Sequence, residues 1–197
     1  TNLWSRSVEG GDLEQPDHVP TTAIYEWTEY PTAETAEVTI GFDSGSPVSI
    51  DGEELAPVEL IETLNELAGA HGVGRTDMME DRMLGLKVRE NYEHPAATVL
   101  LTAHAALEDL VLTKGERSLK KGIEQEWSEK AYQGLVFAPL VDALDAFIAE
   151  TQDVVTGTAT VKVAGGNCRV VGRDSEYAVY SEEMASFNTE DVAGIAQ

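Results

Sequence analysis

The sequence predicts an α+β fold, a largely antiparallel sheet packed with about four helices. Three observations carry this. Near both ends of the chain apolar and polar residues alternate, the period of half-buried strands. Between them apolar residues recur three and four apart, in segments several of which open on proline, the pattern of amphipathic helices. Strands, then helices, then strands is the order of an α+β domain.

Residues 9–35 are rich in Gly, Pro, Thr and acids. They are expected to form an extended arm, and the arm is taken as 1–35. Ala36 to Phe42 alternates, Asp43-Ser44-Gly45-Ser46 is turn chemistry, and Val48 and Ile50 resume the alternation. That predicts a hairpin. Pro57 opens a helix with Leu60, Ile61, Leu64, Leu67 and Ala68 on one face, ended by Gly69 and Gly72. Residues 73–93 read as strand plus loop. Pro95 opens a helix that is almost wholly apolar from Ala96 to Ala106, hence buried on most sides. A third helix is expected over Arg117–Gln133, with Leu119, Ile123 and Trp127 four apart. A fourth starts at Pro139, with Leu140, Leu144, Phe147 and Ile148 inward. Thr158–Ala164 and Cys168–Val171 flank the turn Gly165-Gly166-Asn167 as a hairpin, and Tyr177–Tyr180 reads as a last short strand. The whole, residues 1–197, is expected to be one domain.

Charge narrows the function classes. The 197 residues hold 36 Asp+Glu against 13 Lys+Arg, a formal net charge of −23. Such a surface repels phosphate backbones, so nucleic acid is not an expected partner. No apolar run approaches the ~18 residues of a membrane span, and Thr1 to Arg6 lacks the apolar stretch of a signal peptide. Cys168 is the only cysteine, so no internal disulfide is possible. A cytoplasmic location is expected. The acids are spread along the chain rather than massed in a block. We read them as adaptation to high salt, where a Debye length of about 3 Å at ~1 M screens self-repulsion.

Few residues carry an obvious chemical signature. There is no phosphate-binding loop of the G-x-x-x-x-G-K-[ST] type, and Gly72-Val73-Gly74 follows a helix and reads as its ending turn. His18, His71, His94 and His104 are not at metal-ligand spacing; His104 reads as a core or interface histidine. Cys168 reads as buried and inert, and Trp4, Trp27 and Trp127 as packing residues. The densest segment is Gly74–Glu93, with five carboxylates and four basic side chains interleaved. It is either a set of ion pairs ordering a loop or a pocket for a zwitterion, where a carboxylate receives an ammonium and a hydroxyl orients it. The residue types alone favour the former.

The run Gly72-Val73-Gly74-Arg75-Thr76-Asp77-Met78-Met79-Glu80-Asp81-Arg82, followed by Gly85, Lys87, Arg89 and Tyr92-Glu93-His94-Pro95-Ala96-Ala97-Thr98, resembles argininosuccinate synthase. Asn2-Leu3 and Ser5 to Glu14, then Val155-Thr156-Gly157, Gly172-Arg173-Asp174-Ser175, Tyr180 and Phe187-Asn188, agree in the same order. The resemblance implies a C-terminal synthetase and multimerisation domain, without the family's ATP-binding domain or its C-terminal oligomerisation helix. The family joins citrulline to aspartate, with ATP cleaved to AMP and pyrophosphate. ATP, Mg2+ and aspartate would be held mainly by the other domain. The implied citrulline contacts are Ser7, Glu80 and Tyr92, and the implied assembly is a homo-oligomer, a tetramer. Val88 stands where many members of the family have Ser, and Asn91 where an aliphatic residue is usual. The alternative is a stand-alone acidic oligomerisation or interaction module of the same fold. A Ser-Gly-Gly-type loop upstream of Thr1 would mark the enzyme, and a start codon there the module.

Overall fold

The computed structural model describes residues 2–30 and 34–180; Phe187-Asn188 and the end at Gln197 lie outside the described residues. Within them, four helices pack with eight strands in two antiparallel sheets. The larger sheet contains β2 (Thr35–Asp43), β3 (Ser46–Ile50), β4 (Glu53–Glu54), β7 (Gly157–Ala164) and β8 (Asn167–Asp174), in the order β4-β3-β2-β7-β8. Alternation sorts its faces. Val38, Ile40 and Phe42 on β2 and Ala159, Val161 and Val163 on β7 are buried, with Val38 directly opposite Val161. On the other face the hydroxyls of Thr39 and Thr160 meet at 2.9 Å and Lys162 pairs with Glu37 at 3.4 Å.

Helices α1 (Pro57–Ala70) and α2 (Pro95–Val111) cover the apolar face. Leu60, Leu64 and Ala68 of α1 and Val99, Ala103 and Leu107 of α2 are fully or almost fully buried. Each such leucine or valine contributes roughly 1.5–3 kcal/mol. Proline begins both helices, where its missing N–H costs nothing.

The smaller sheet, in the order β1-β6-β5, comprises β1 (Arg6–Val8), β5 (Arg75–Asp81) and β6 (Lys87–Glu93). The segment expected to be strand plus loop is therefore a closed hairpin, and β6 feeds straight into α2 through His94. Both ring nitrogens of His94 are hydrogen-bonded, Nε2 at 2.8 Å from the Thr76 hydroxyl and Nδ1 at 2.9 Å from the Thr98 hydroxyl. Gly74 makes the joint possible: its φ is 102°, and a Cβ would lie 2.6 Å from the Pro95 backbone.

The expected arm is only partly extended. β1 lies within it, and two short 3-10 turns, Gly11–Glu14 and Thr22–Ile24, fold it across one face of the small sheet. The Glu29 N–H reaches the Gly69 carbonyl at 2.9 Å. Gly69 lies inside α1 rather than ending it, and it is glycine because the Trp27 carbonyl occupies the place of a side chain.

Three expectations need correction. Tyr177–Tyr180 is not a strand; alternation defines two faces but supplies no partner, and the Val179 N–H bonds instead to the Leu110 carbonyl at 3.0 Å. The third helix, α3, spans Lys114–Tyr132, because Thr113 and Glu116 form a reciprocal capping box that starts it earlier. The stripe of α4 (Pro139–Gln152), expected inward, is only partly so, and Leu119 of α3 also faces out. These helices pack chiefly on each other, so Leu119 and Leu140 are exposed and Leu144, Phe147 and Ile148 only half-buried. Lys120, itself buried, ties α3 to Glu108 of α2 at 2.9 Å.

Candidate functional site

The small sheet has two chemically different faces. In its register Arg6, Glu93 and Arg75 are cross-strand neighbours, and so are Ser7, Tyr92 and Thr76. Successive residues point to opposite faces, so Arg75, Asp77, Arg89, Asn91 and Glu93 share one face and Thr76, Glu80, Glu90 and Tyr92 the other.

The first face is spent on holding the arm. Glu93 is 1% exposed and accepts from Arg6 at 2.8 Å, from the N–H groups of Glu26, Trp27 and Thr28, and from the Thr28 hydroxyl at 2.7 Å. Burial opposes its charge, but the hydrogen bonds from Glu26, Thr28 and Trp27 outweigh that and hold the carboxyl below its ordinary value. Arg75 donates to the Thr28 hydroxyl and to the Thr28 and Glu29 carbonyls, and stacks 3.9 Å from the Tyr25 ring centre. Arg89 grips Asp77 through two nitrogens and the carbonyls of Gln15 and His18 through a third. These are the ion pairs anticipated for this segment.

The second face carries Ser7 of β1 and, through Arg82, meets Glu9 of the arm. Its Tyr92 hydroxyl donates to Glu80 Oε1 at 2.7 Å. Burial, and then the bond to Glu80, push the Tyr92 phenol upward, so it stays protonated as a donor. Among the described residues no lysine or arginine lies within 4 Å of Glu80. The two arginines nearest in sequence are committed elsewhere, Arg75 to the arm and Arg82 to Glu9 at 2.7 Å. Glu80 and Tyr92 are half-buried; Ser7, opposite Tyr92 in the register, is exposed.

Of the three predicted site residues, the structure joins Glu80 to Tyr92 and sets Ser7 on the same face beside Tyr92. Sequence reasoning did not single out Glu9, Arg82 and Glu90. Glu90 is 9% exposed, and Arg82 sits 3.8 Å from it. The signal was the even spacing of Glu90 from Tyr92, which places both on one face once the segment is known to be strand.

The arrangement can accept a cation. One Glu80 oxygen is fixed by Tyr92, the other remains for a ligand, and hydroxyls stand alongside. It offers no polyphosphate cradle, since carboxylates outnumber the single Arg82 on this face. No grouping of three acids, histidines or cysteines suited to a metal occurs among the described residues. His71 and His104 are bound apart, to the Leu67 carbonyl and to Gln152. Cys168 is on β8, where burial pushes its thiol up, away from reactivity. No described helix is long and apolar enough to cross a membrane.

Residues 1–195 match the family model described as Arginosuccinate synthase C-terminal domain. Among curated relatives, the argininosuccinate synthase of Natronomonas pharaonis is 73% identical over 98% of this chain and 48% of its own length. That of Haloarcula marismortui is 67% identical over 98% of this chain and 46% of its own. That of Methanocaldococcus jannaschii is 55% identical over 97% and 49%. The chain thus spans about half the length of the curated relatives it matches. The high-identity relatives are mostly from halophilic archaea.

Proposed function

The chain belongs to the argininosuccinate synthase C-terminal domain family, and from that membership we propose that it is the citrulline-binding and assembly half of an argininosuccinate synthase. In that reading a cytoplasmic enzyme ligates citrulline to aspartate in arginine biosynthesis, with ATP cleaved to AMP and pyrophosphate. The observation that carries the proposal is the Tyr92–Glu80 bond on the second face of the small sheet, with Glu80 unclaimed by any described cation. Glu80 receives the citrulline ammonium, Tyr92 holds the carboxylate in place, and Ser7 supplies a neighbouring hydroxyl.

The nucleotide belongs elsewhere. A face with Glu9, Glu80 and Glu90 against one Arg82 does not suit the phosphates of ATP, with which Mg2+ would be bound. Both, with aspartate, are assigned to a partner half outside this chain, and no catalytic residue is assigned within it. The chain alone should therefore not form argininosuccinate.

The assembly role is supported by apolar side chains left outside on and after α3. Phe137 is 96% exposed, Tyr132 59% and Leu119 58%, a surface that suits contact between copies in a homo-oligomer, a tetramer in the family reading. The same surface favours the second reading, an interaction module without catalysis. Titrating L-citrulline into the chain, followed by backbone NMR, separates the two. The enzyme reading predicts saturable shifts at Ser7, Glu80 and Tyr92; the module reading predicts none there.

A further inference from the structure

Thr76 completes the cross-strand row Ser7–Tyr92–Thr76 on the second face of the small sheet, and it is half-buried. Its Oγ1 is 2.8 Å from Nε2 of His94, the residue that joins β6 to α2. The hydrogens present fix the direction of that bond. The Thr98 hydroxyl donates its one hydrogen to the His94 carbonyl at 3.0 Å. Its contact with Nδ1 at 2.9 Å therefore takes the hydrogen from the ring. A neutral imidazole that donates at Nδ1 accepts at Nε2, so the Thr76 hydroxyl gives its hydrogen to His94. What Thr76 keeps for a ligand is a lone pair: it can accept a hydrogen bond but has none to give.

Thr76 and Glu80 share one face of β5, four residues apart, a strand distance of about 13 Å. One side chain spans them. Tyr92 starts opposite Thr76, and its hydroxyl ends on Glu80 Oε1 at 2.7 Å. Along the face the order is thus a carboxylate, an aromatic side chain and a hydroxyl oxygen: a charged acceptor, an apolar stretch and a neutral acceptor. Citrulline has the complementary order, an ammonium, three methylenes and a ureido group whose terminal nitrogen carries two hydrogens. Extended, it measures roughly 9 Å over seven bonds, on the scale of that span.

We propose that Thr76 is a further ligand contact, its oxygen accepting from the terminal ureido N–H while Glu80 holds the ammonium, so that this face selects a side chain ending in an N–H donor. This rests on the proposed citrulline site and extends it from the amino-acid head to the far end of the substrate. A terminal oxygen placed there would meet a lone pair, and a methyl group would leave the Thr76 oxygen without a partner. His94 does not compete for the ligand, since both its nitrogens are already bonded.

The probes are L-citrulline and N5-acetyl-L-ornithine, in which a methyl replaces the terminal amino group while the ammonium, methylenes and carbonyl remain. Dissociation constants are measured by calorimetric titration into the full chain at pH 8. The native chain should prefer citrulline about 3- to 10-fold, the effect of one neutral hydrogen bond. Thr76→Val, close in shape but without the oxygen, should bind the two ligands equally, and Thr76→Ser should keep the preference. Should Thr76→Val not fold, Thr76→Ala takes its place. A purely structural Thr76 would change both affinities together and leave their ratio untouched. Equal binding by the native chain, or a preference that survives the loss of the oxygen, would overturn the contact and leave the citrulline site standing. Failure of both ligands to bind the native chain would overturn the citrulline site and the contact together.

Discussion

Tyr92 donates its hydroxyl proton to Glu80 at 2.7 Å across the hairpin, from twelve residues further along the chain. The bond fixes one oxygen of a carboxylate that no described lysine or arginine claims. A half-buried, oriented and unpaired carboxylate is costly to maintain without a use, and the proposed use is a ligand's ammonium.

Removing the donor tests whether that orientation matters. Tyr92→Phe should weaken citrulline binding about 3- to 10-fold, the effect of one hydrogen bond of about 0.5–1.5 kcal/mol. The ring stays, so the fold should survive. An isothermal titration of native and variant chains checks this, and equal affinities would show that Glu80 needs no help from Tyr92.

The arm should come off in acid. The Glu93 carboxyl lies below its ordinary value of 4.5. Its contribution is therefore present above that value and lost as pH falls through the folded one. Glu90 has the opposite sign: raised, it stabilises most fully below 4.5 and loses that contribution as pH rises through its folded value. Hydrogen exchange at the Glu26, Trp27 and Thr28 amides should accelerate on acidification before the large sheet opens. Glu93→Ala should produce the same loosening at neutral pH and cost on the order of 3 kcal/mol. Protection of those three amides that persists in the variant would contradict the clasp.

Much of this architecture is legible in the residues. Prolines at the first helical turn and apolar spacing locate α1 and α2, and alternation locates the β2–β3 and β7–β8 hairpins. The rest depends on partners that periodicity does not name. Glu93 looks like one surface acid among many, and only the strand register shows it facing the arm while its neighbour Tyr92 faces away. Alternation at Tyr177–Tyr180 lacks a strand to pair with, and the stripes of α3 and α4 are seated mainly on each other. Glu80 and Tyr92 came from the family resemblance; their mutual bond required the structure.

Salt should stabilise the chain. With a net charge of −23, repulsion reaches about 30 Å at ~0.01 M salt but only about 3 Å at ~1 M. The thermal midpoint should rise markedly across that interval. A midpoint independent of salt would refute the reading of the acids as adaptation to high salt.

Assembly should depend on the exposed apolar surface beyond α3. Phe137→Asp places a charge at a position 96% exposed in the single chain, so it should leave the monomer's stability nearly unchanged. It should shift the sedimentation coefficient toward smaller species. An unchanged oligomer would place the interface elsewhere.

Glu80 is the residue proposed to receive the ammonium of citrulline. Its most direct test is the citrulline dissociation constant of Glu80→Gln, read beside the thermal midpoint of the same variant. A hydrogen bond to a charged group contributes about 1.5–3 kcal/mol, so the account predicts binding weakened on the order of 10- to 100-fold with the midpoint nearly unmoved. Unchanged citrulline affinity, with or without a fall in the midpoint, would make Glu80 a structural residue and contradict the account.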